Sequence, residues 1–481
     1  MLRLVILWIF IGYFSINAWR NWFLSLCVLI PFTAFIEYPD LPRSMFGVPG
    51  LNPWNILFLS TFLAWIFCRS SNPNDIKLPP PFKGLIILQM TIFIIAFARI
   101  YLDQEGLANL AQLNTAGIRF APSGLINTYL VDTIKWMIPF FMMYYGANTP
   151  NRQITGLLAI LGFYLALALL ILKVRSLGSI VDEASLTKGA LKIVKLTGYH
   201  RVDASSILAG GSWLALALIP LQKGGFRRFS LIVAFIIIIL GQLLTGGRTG
   251  YLAWAVVGCL LAILRWRKIL PILALVMVLI LAVVPAVRDR MLVGLTSSSK
   301  KEQVVKIAPS EQEQVVEDVS AGRYGIWLLA YERIQKRPFL GYGRLALLRT
   351  GASKEAIDTL GQYFGHPHNA YLELVLDNGL LGAFPFALFY FFVLKRNVPI
   401  LRTERDPVMI AIAAGCFAVV VAHLTSSLSN QTFYPRTGSL TLWCVLGLFL
   451  RVLWDKEHLE LPTKIQLQKK SKIGVLPTCA N

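Results

Sequence analysis

Apolar stretches of roughly 16 to 22 residues recur along almost the whole chain. About 20 apolar residues are enough for an α-helix to cross a lipid bilayer. We interpret the stretches as 12 or 13 transmembrane helices, the lower number applying if the first two, which are short and adjacent, form one span. The candidates are 4–18, 21–37, 53–68, 83–101, 128–145, 153–172, 204–221, 226–244, 249–264, 268–287, 380–394, 407–426 and 438–454. This pattern predicts an all-α polytopic integral membrane protein.

The longest polar segment, about 288–367, separates the last three candidates from the rest. We expect it to form one large outer loop that contains short helices. The predicted regions are N-terminal transmembrane helices (1–240), further transmembrane helices before the loop (241–287), the large outer loop (288–379), C-terminal transmembrane helices (380–454) and a basic tail (455–481).

Lysine and arginine predict the orientation, because short loops rich in them stay in the cytoplasm. Such markers are "KGGFRR" at 223–228, "RWRK" at 265–268 and "KRNVPILRTER" at 395–405, and the tail after Arg451 is also basic. The alternation then places 288–367 outside and the C-terminus inside. The segments 102–127, 173–203 and 427–437 would lie on the same outer side.

Composition agrees with a membrane protein and adds a hint about its substrate. The chain is 56% hydrophobic with a mean hydropathy of +0.62 and 15% charged residues, which is less charge than soluble proteins carry. Orientation explains much of the net charge of +21, so we expect no nucleic-acid partner. The outer loops are also mildly basic, which favours an anionic substrate at the outer surface.

The first candidate for chemistry is "AGRYGIWLLAYERIQKRPFLGYGRL", residues 321–345. Arg323, Trp327 and Tyr331 follow helical spacing and would share one face. Pro338 should end this helix, which we place at 321–336. The alternative is an amphipathic helix that rests on the membrane surface and has no chemical role.

The second candidate is Arg248 in "LLTGGRTGYLAW", residues 243–254, at the outer mouth of a predicted span. Glycines would expose backbone N–H groups beside a permanent cation, an arrangement that suits a phosphate. The alternative is an arginine that reaches to the membrane interface.

The third candidate is "FGHPHNAYLELVLDNGLLG", residues 364–382. Pro367 fits the first turn of a short helix and Gly379 fits its end, so that Leu380 begins the next span. His366, His368 and Asn369 would then crowd a helix N-terminus, where exposed N–H groups favour anions. A simple capping role is the alternative.

Together these three motifs, in this order, resemble the O-antigen ligase family. That family belongs to a superfamily with O-antigen and exopolysaccharide polymerases and bacterial protein O-glycosyltransferases. The resemblance covers about 240–450 and implies a GT-C-like glycosyltransferase. The implied donor is a glycan on undecaprenyl diphosphate, and the implied acceptor is a glycan or glycolipid such as lipid A-core. The implied location is the outer face of the bacterial inner membrane, and no metal or other cofactor is implied.

The resemblance also assigns roles to residues. His368 takes the position of the base, and Arg248 and Arg323 take the positions that bind diphosphate. Secondary candidates are Arg201, His366, Asn369, Arg436 and Trp327. The family's pattern at the outer end of a middle helix is degraded here to "GYHRVDASSILAGG", residues 198–211, in which Arg201 and Asp203 fill part of the role.

Three other functions stay open on sequence alone. The acceptor could make the protein a polymerase or a protein O-glycosyltransferase instead of a ligase. A transporter or flippase would also be polytopic, but it should carry its key residues in mid-membrane. Asp132 and Lys135 are the main ionisable residues within the predicted spans.

Overall fold

The computed structural model describes residues 2–45, 48–70, 77–115, 122–175, 189–283, 288, 323–429 and 433–473. Almost all of this backbone is helical, and the prediction of an all-α polytopic membrane protein is confirmed. Every predicted span falls on helical backbone, apart from 284–287, which lie outside the described residues. Most of the predicted outer loop before Arg323, residues 289–322, also lies outside them.

The helices are numbered here in chain order. They are Leu2–Phe32 (α1), Pro53–Ser70 (α2), Phe82–Leu102 (α3), Gln104–Thr115 (α4), Pro122–Ile126 (α5), Asp132–Gly146 (α6), Pro150–Val174 (α7), Ala190–Thr197 (α8), Arg201–Leu218 (α9), Gly225–Thr245 (α10), Arg248–Leu264 (α11), Leu270–Val283 (α12), Tyr324–Lys336 (α13), Ala346–Arg349 (α14), Ala352–Leu360 (α15), Ala370–Thr403 (α16), Pro407–Ser426 (α17) and Leu440–Ile473 (α18). A two-stranded antiparallel ribbon pairs Ser44–Met45 (β1) with Val48–Pro49 (β2). A π-helical turn, Asn127–Val131, leads into α6.

Eight helical stretches in the described ranges are long and apolar enough to cross a membrane. Two further apolar stretches, Pro53–Cys68 and Arg248–Leu264, are shorter. The predicted helix at 321–336 corresponds to α13, which begins three residues later, at Tyr324.

Helix α1 doubles back on itself at Asn21, whose backbone leaves the helical region. The Ser25 hydroxyl donates to the carbonyl of Phe14 at 2.9 Å, and the rings of Phe10 and Phe32 lie 6.1 Å apart. An unbroken helix would separate Phe10 from Phe32 by about 33 Å. The two halves of α1 are therefore antiparallel and match the two short adjacent candidates, 4–18 and 21–37.

Segments predicted to lie outside meet one another at one polar end of the bundle. Asp103, after α3, pairs with Arg349 of the loop, and Asp203 pairs with Arg436. The Ala370 amide donates to the carbonyl of Ser427 at 2.8 Å. These contacts join four of the predicted outer segments, as the predicted alternation requires.

Segments predicted to lie inside meet at the opposite end. Glu404, after α16, pairs with Lys456 of α18. Gln153, at the start of α7, donates to Asp455 at 3.0 Å. The two polar ends thus contain the segments that the lysine and arginine pattern grouped together, while the side of the membrane that each end faces stays a prediction.

Small residues allow close approach between helices in the bundle. A methyl group added at Gly447 of α18 would overlap the backbone of Phe140 in α6, and one at Gly241 of α10 would overlap Ala168 in α7. Such small-residue contacts compensate for the weak hydrophobic drive between helices in lipid. They hold the spans close enough to fix the polar ends relative to each other.

Helix α16 is interrupted at Gly379, as the sequence predicted. Its φ of 66° is in the left-handed region, and a side chain there would collide with the carbonyl of Phe339. The outer loop supplies the missing acceptors, because the amides of Leu380 and Leu381 donate to the carbonyls of Pro338 and Phe339. The interruption therefore joins the loop to the last membrane helices.

A buried ion cluster strengthens the same junction. Arg344 lies between Glu373 (2.6 Å) and Asp377 (3.0 Å), and its guanidinium covers the ring of Tyr434. The Tyr434 hydroxyl donates to Asp377 at 2.8 Å, and so does the amide of Ala346 at 3.1 Å. Removing one partner of such a cluster would leave an uncompensated buried charge, which typically costs about 3–5 kcal/mol.

Candidate functional site

A tight turn at His366, Pro367 and His368 connects the outer loop to α16. His368 has a φ of 51°, which few residues other than glycine adopt. Its amide donates to Nδ1 of His366 at 3.2 Å, and the two imidazole rings lie 4.0 Å apart. Trp327 of α13 donates from Nε1 to the carbonyl of Pro367 at 2.8 Å. The two histidines are therefore adjacent, and the predicted helix with Trp327 packs directly beside them.

Asn369 caps the N-terminus of α16. Its side-chain oxygen accepts from the amides of Tyr371 (3.0 Å) and Leu372 (3.2 Å). The helix begins at Ala370 and not at Pro367, because Pro367 and His368 form the turn that precedes the cap. For Asn369 the capping alternative thus has direct support in the structure.

Both histidines are held in the neutral form. Burial lowers the pKa of His368 to about 3, and the positive charges of His366 and Arg323 add to the effect. Burial lowers the pKa of His366 to about 4, with a further contribution from Arg436. Neutral imidazoles at physiological pH can accept a proton. A bound anion would raise both pKa values by offsetting the neighbouring cations.

Arg323 lies beside the start of α11, where Arg248 is located. Its guanidinium donates to the carbonyl of Ser429 at 3.0 Å, and the Ser429 hydroxyl is hydrogen-bonded to that of Thr249. Burial, followed by the charge of Arg248, lowers the pKa of Arg323. The two arginines assigned to diphosphate are thus close enough to repel each other, and an anion between them would relieve that repulsion.

The glycines of "GGRTG" have a packing role that the sequence did not predict. Side chains at Gly247 or Gly250 would collide with Ser205 of α9. The amide of Gly247 donates to Thr245 Oγ1 at 3.2 Å and is not available to a phosphate. These glycines bring α11 against α9, which places Arg248 at the site.

The secondary candidates Arg201 and Arg436 lie at the neighbouring end of α9. Arg436 donates to Asp203 at 3.0 Å and also influences the titration of His366. Arg201, the first residue of α9, lowers the pKa of His200 through its charge, although burial is the larger cause. His200 in turn affects His368, so this end of α9 belongs to the same electrostatic environment.

A small cavity of about 40 Å³ lies beside the Arg436–Asp203 pair, and both of these residues line it. It is lined by Ser206, His423, Ser439 and Thr441, among others. A volume of about 10–15 Å³ is needed for each water molecule, so the cavity has room for a few waters and not for a sugar ring. The ring of His423 packs against those of Tyr390 and Phe433.

The intramembrane pair Asp132 and Lys135 does not join the site. The two side chains form a salt bridge of 2.6 Å, and Lys135 also lies over the ring of Trp136. The candidate residues for chemistry lie at the polar end of the bundle, which is where an enzyme of this kind would carry them.

Sequence reasoning missed the cluster of Arg344, Glu373, Asp377 and Tyr434. The acidic residues of "AYLELVLDNG" follow an i, i+4 spacing on the helix after the histidines, and this was the available signal. Their basic partner lies 29 and 33 residues earlier, which no local pattern reveals.

Comparison with known proteins relates part of the chain to a family. A family model described as O-antigen ligase matches residues 233–387. Residues 233–387 are thus similar to the O-antigen ligase family. The matched O-antigen ligase region contains Arg248, Arg323, Trp327, His366 and His368, whereas Arg201 and Arg436 lie outside it. No curated protein matches the chain at a significant level.

The family assignment confirms the resemblance found in the three motifs. It supports ligase-type transfer of glycans, with lipid-linked glycan and acceptor substrates in a membrane environment. The chain is a multi-pass membrane protein with the character of a glycosyltransferase.

Proposed function

We propose that this protein transfers a glycan from undecaprenyl diphosphate to an acceptor hydroxyl, with lipid A-core as the acceptor. The observation that carries the proposal is the position of Arg323, which lies near Arg248 through Ser429 and Thr249 and near the His366–His368 turn through α13, at one polar end of the bundle. Two adjacent cations suit a diphosphate, and a neutral imidazole suits a hydroxyl that must lose its proton.

Arg248 and Arg323 would stabilise the leaving group. As the bond from the anomeric carbon to the diphosphate oxygen breaks, its electron pair stays on that oxygen and the negative charge there grows. Arginine stays charged and can hold two phosphate oxygens at once, so it can neutralise this charge without a metal. The carbonyl of Ser429 holds the Arg323 guanidinium in place for this role.

His368 would act as the base. As the acceptor oxygen forms its bond to the anomeric carbon, the hydroxyl proton passes to His368, and direct attack inverts that carbon. The low pKa of His368 in the free protein makes it a weak base. When the donor is bound, the diphosphate adds negative charge beside His368 and raises its pKa. The imidazole is therefore a stronger base in the donor complex than in the free protein.

The proposed location is the bacterial inner membrane, with the site on the periplasmic side and the C-terminus in the cytoplasm. The basic loops support this orientation through the positive-inside rule. Single cysteines at Ser298 and Ser471, in a background without the natural cysteines, should differ in intact spheroplasts. An impermeant thiol reagent is expected to label position 298 and to spare position 471. Labelling of 471 alone would invert the topology and overturn the proposed location of the site.

Transfer can be tested with purified protein, lipid-linked glycan extracted from a source strain that lacks this protein, and purified lipid A-core. We expect the glycan to appear on lipid A-core at an unchanged rate in EDTA. A lengthened lipid-linked chain would show a polymerase instead. Activity that is lost in EDTA and restored by Mg²⁺ would show that the arginines are not sufficient for the diphosphate.

A further inference from the structure

Several groups in and next to the turn before α16 are hydrogen-bonded to different partners. The carbonyl of Pro367 accepts from Trp327, and the amide of His368 donates to Nδ1 of His366. Asn369 caps the helix with its side chain, and the amide of Ala370 donates to the carbonyl of Ser427. The turn is thus fixed from α13, from its own first residue and from the end of α17.

The direction of the His368 side chain depends on this fixation. The φ of 51° at His368 is sparsely populated in residues other than glycine, and histidine adopts it only where the surroundings impose it. Two hydrogen bonds hold the peptide group that joins Pro367 to His368, directly before the His368 Cα, and they are the local restraints. One is the bond from Trp327 to the preceding carbonyl, and the other is the bond from the His368 amide to His366.

His366 makes its restraint through one ring nitrogen. In a neutral imidazole one nitrogen accepts and the other carries the proton. Because Nδ1 accepts the amide of His368, the proton of His366 is on Nε2. The bond reaches from a side chain to the amide two residues further on, which is the geometry that asparagine adopts in an Asx-turn.

We propose that His366 and Trp327 are positioning residues that hold His368 in its left-handed conformation and so aim its imidazole at the acceptor hydroxyl. The inference rests on the proposed function of His368. In this inference, Nδ1 of His366 holds the backbone amide of His368, and the indole N–H of Trp327 holds the backbone carbonyl of Pro367.

Asparagine and glutamine at position 366 separate this role from direct action on the substrate. His366→Asn retains an acceptor near the position of Nδ1, whereas His366→Gln places its amide near the position of Nε2. We expect His366→Ala and His366→Gln to lower kcat by about 10- to 100-fold, because a misplacement of about 1 Å can have that effect. His366→Asn should recover most of the loss. The Kd for undecaprenyl diphosphate should stay within about twofold in all three variants.

Trp327→Phe gives a second, independent arm, because it removes the indole N–H and keeps an aromatic ring. It should lower kcat with little change in thermal stability. Tyr331→Phe is the matched control, since Tyr331 is exposed one turn further along α13. Hydrogen exchange at the His368 amide should be faster in His366→Ala and Trp327→Phe than in the unaltered protein, and this readout does not depend on activity.

The outcomes separate the positioning role of His366 and Trp327 from the proposed glycan transfer. Better rescue by glutamine than by asparagine would show that His366 acts on the substrate through Nε2 and would overturn the positioning role. Unchanged kcat and unchanged exchange in His366→Ala and Trp327→Phe would also overturn it, and an active unaltered protein would leave the proposed function intact. If the unaltered protein transfers no glycan, both the function and the inference fail.

Discussion

Replacing His368 with alanine is expected to lower the rate of glycan transfer by about 10² to 10⁴, the usual contribution of a general base. Binding of undecaprenyl diphosphate should change little, because His368 acts on the acceptor hydroxyl and not on the phosphates. Transfer and donor binding should therefore be measured separately on the same purified protein. His458→Ala is the control, because His458 is an exposed histidine at the opposite end of the bundle, stacked on Trp454.

The pH dependence of glycan transfer should also reflect the role of His368 as the base. In the free protein the pKa of His368 lies near 3, so kcat/KM should lose no activity to protonation of this group between pH 7 and pH 5. With the donor bound, the diphosphate raises the pKa, and kcat should fall at a higher pH than kcat/KM does as the solution is acidified. A fully active His368→Ala protein would remove the assignment of the base.

Changes at the two arginines are expected to have effects of similar size but of a different kind. Arg323→Lys keeps one positive charge but loses the second contact to phosphate and weakens the bond to Ser429. We expect kcat to fall by about 10²-fold, as when one donor to a developing negative charge is removed. Arg248→Ala should also weaken donor binding by about 1.5–3 kcal/mol, because a phosphate contact acts in the ground state too.

Arg227→Lys is the matched control for Arg323→Lys, since Arg227 is exposed in the first turn of α10 at the other end of the bundle. The transfer rate and the Kd for undecaprenyl diphosphate should be measured for each variant. Donor binding that stays unchanged in Arg248→Ala would place Arg248 away from the diphosphate. Full activity in Arg323→Lys would show that a point charge is enough at that position.

The family match supports glycan transfer in general, and the specific donor and acceptor are proposals on which these experiments bear. His366→Ala is expected to be milder than His368→Ala, because a positioning residue leaves the base itself in place. The same order follows from the resemblance, which gives the position of the base to the second histidine.

The amino-acid sequence determined the architecture of this protein, because crossing a bilayer requires long apolar helices and few other solutions exist. The spans, the break at Gly379 and the helix with Trp327 were readable from runs of apolar residues, from glycine and from proline. The grouping of the loops into two ends followed from lysine and arginine. The three candidate residues for chemistry came from a family resemblance, because single histidines and arginines carry little meaning in isolation.

The tertiary structure alone decided how distant segments meet. Ser429 joins Arg323 to the start of α11, across separations in the chain of 106 and 180 residues. The glycines beside Arg248 pack against Ser205, and the charge of Arg344 is balanced by the helix after the histidines. The left-handed backbone at His368 is set by Trp327 and His366. Such contacts depend on the relative placement of whole helices, which local propensity and periodicity do not encode.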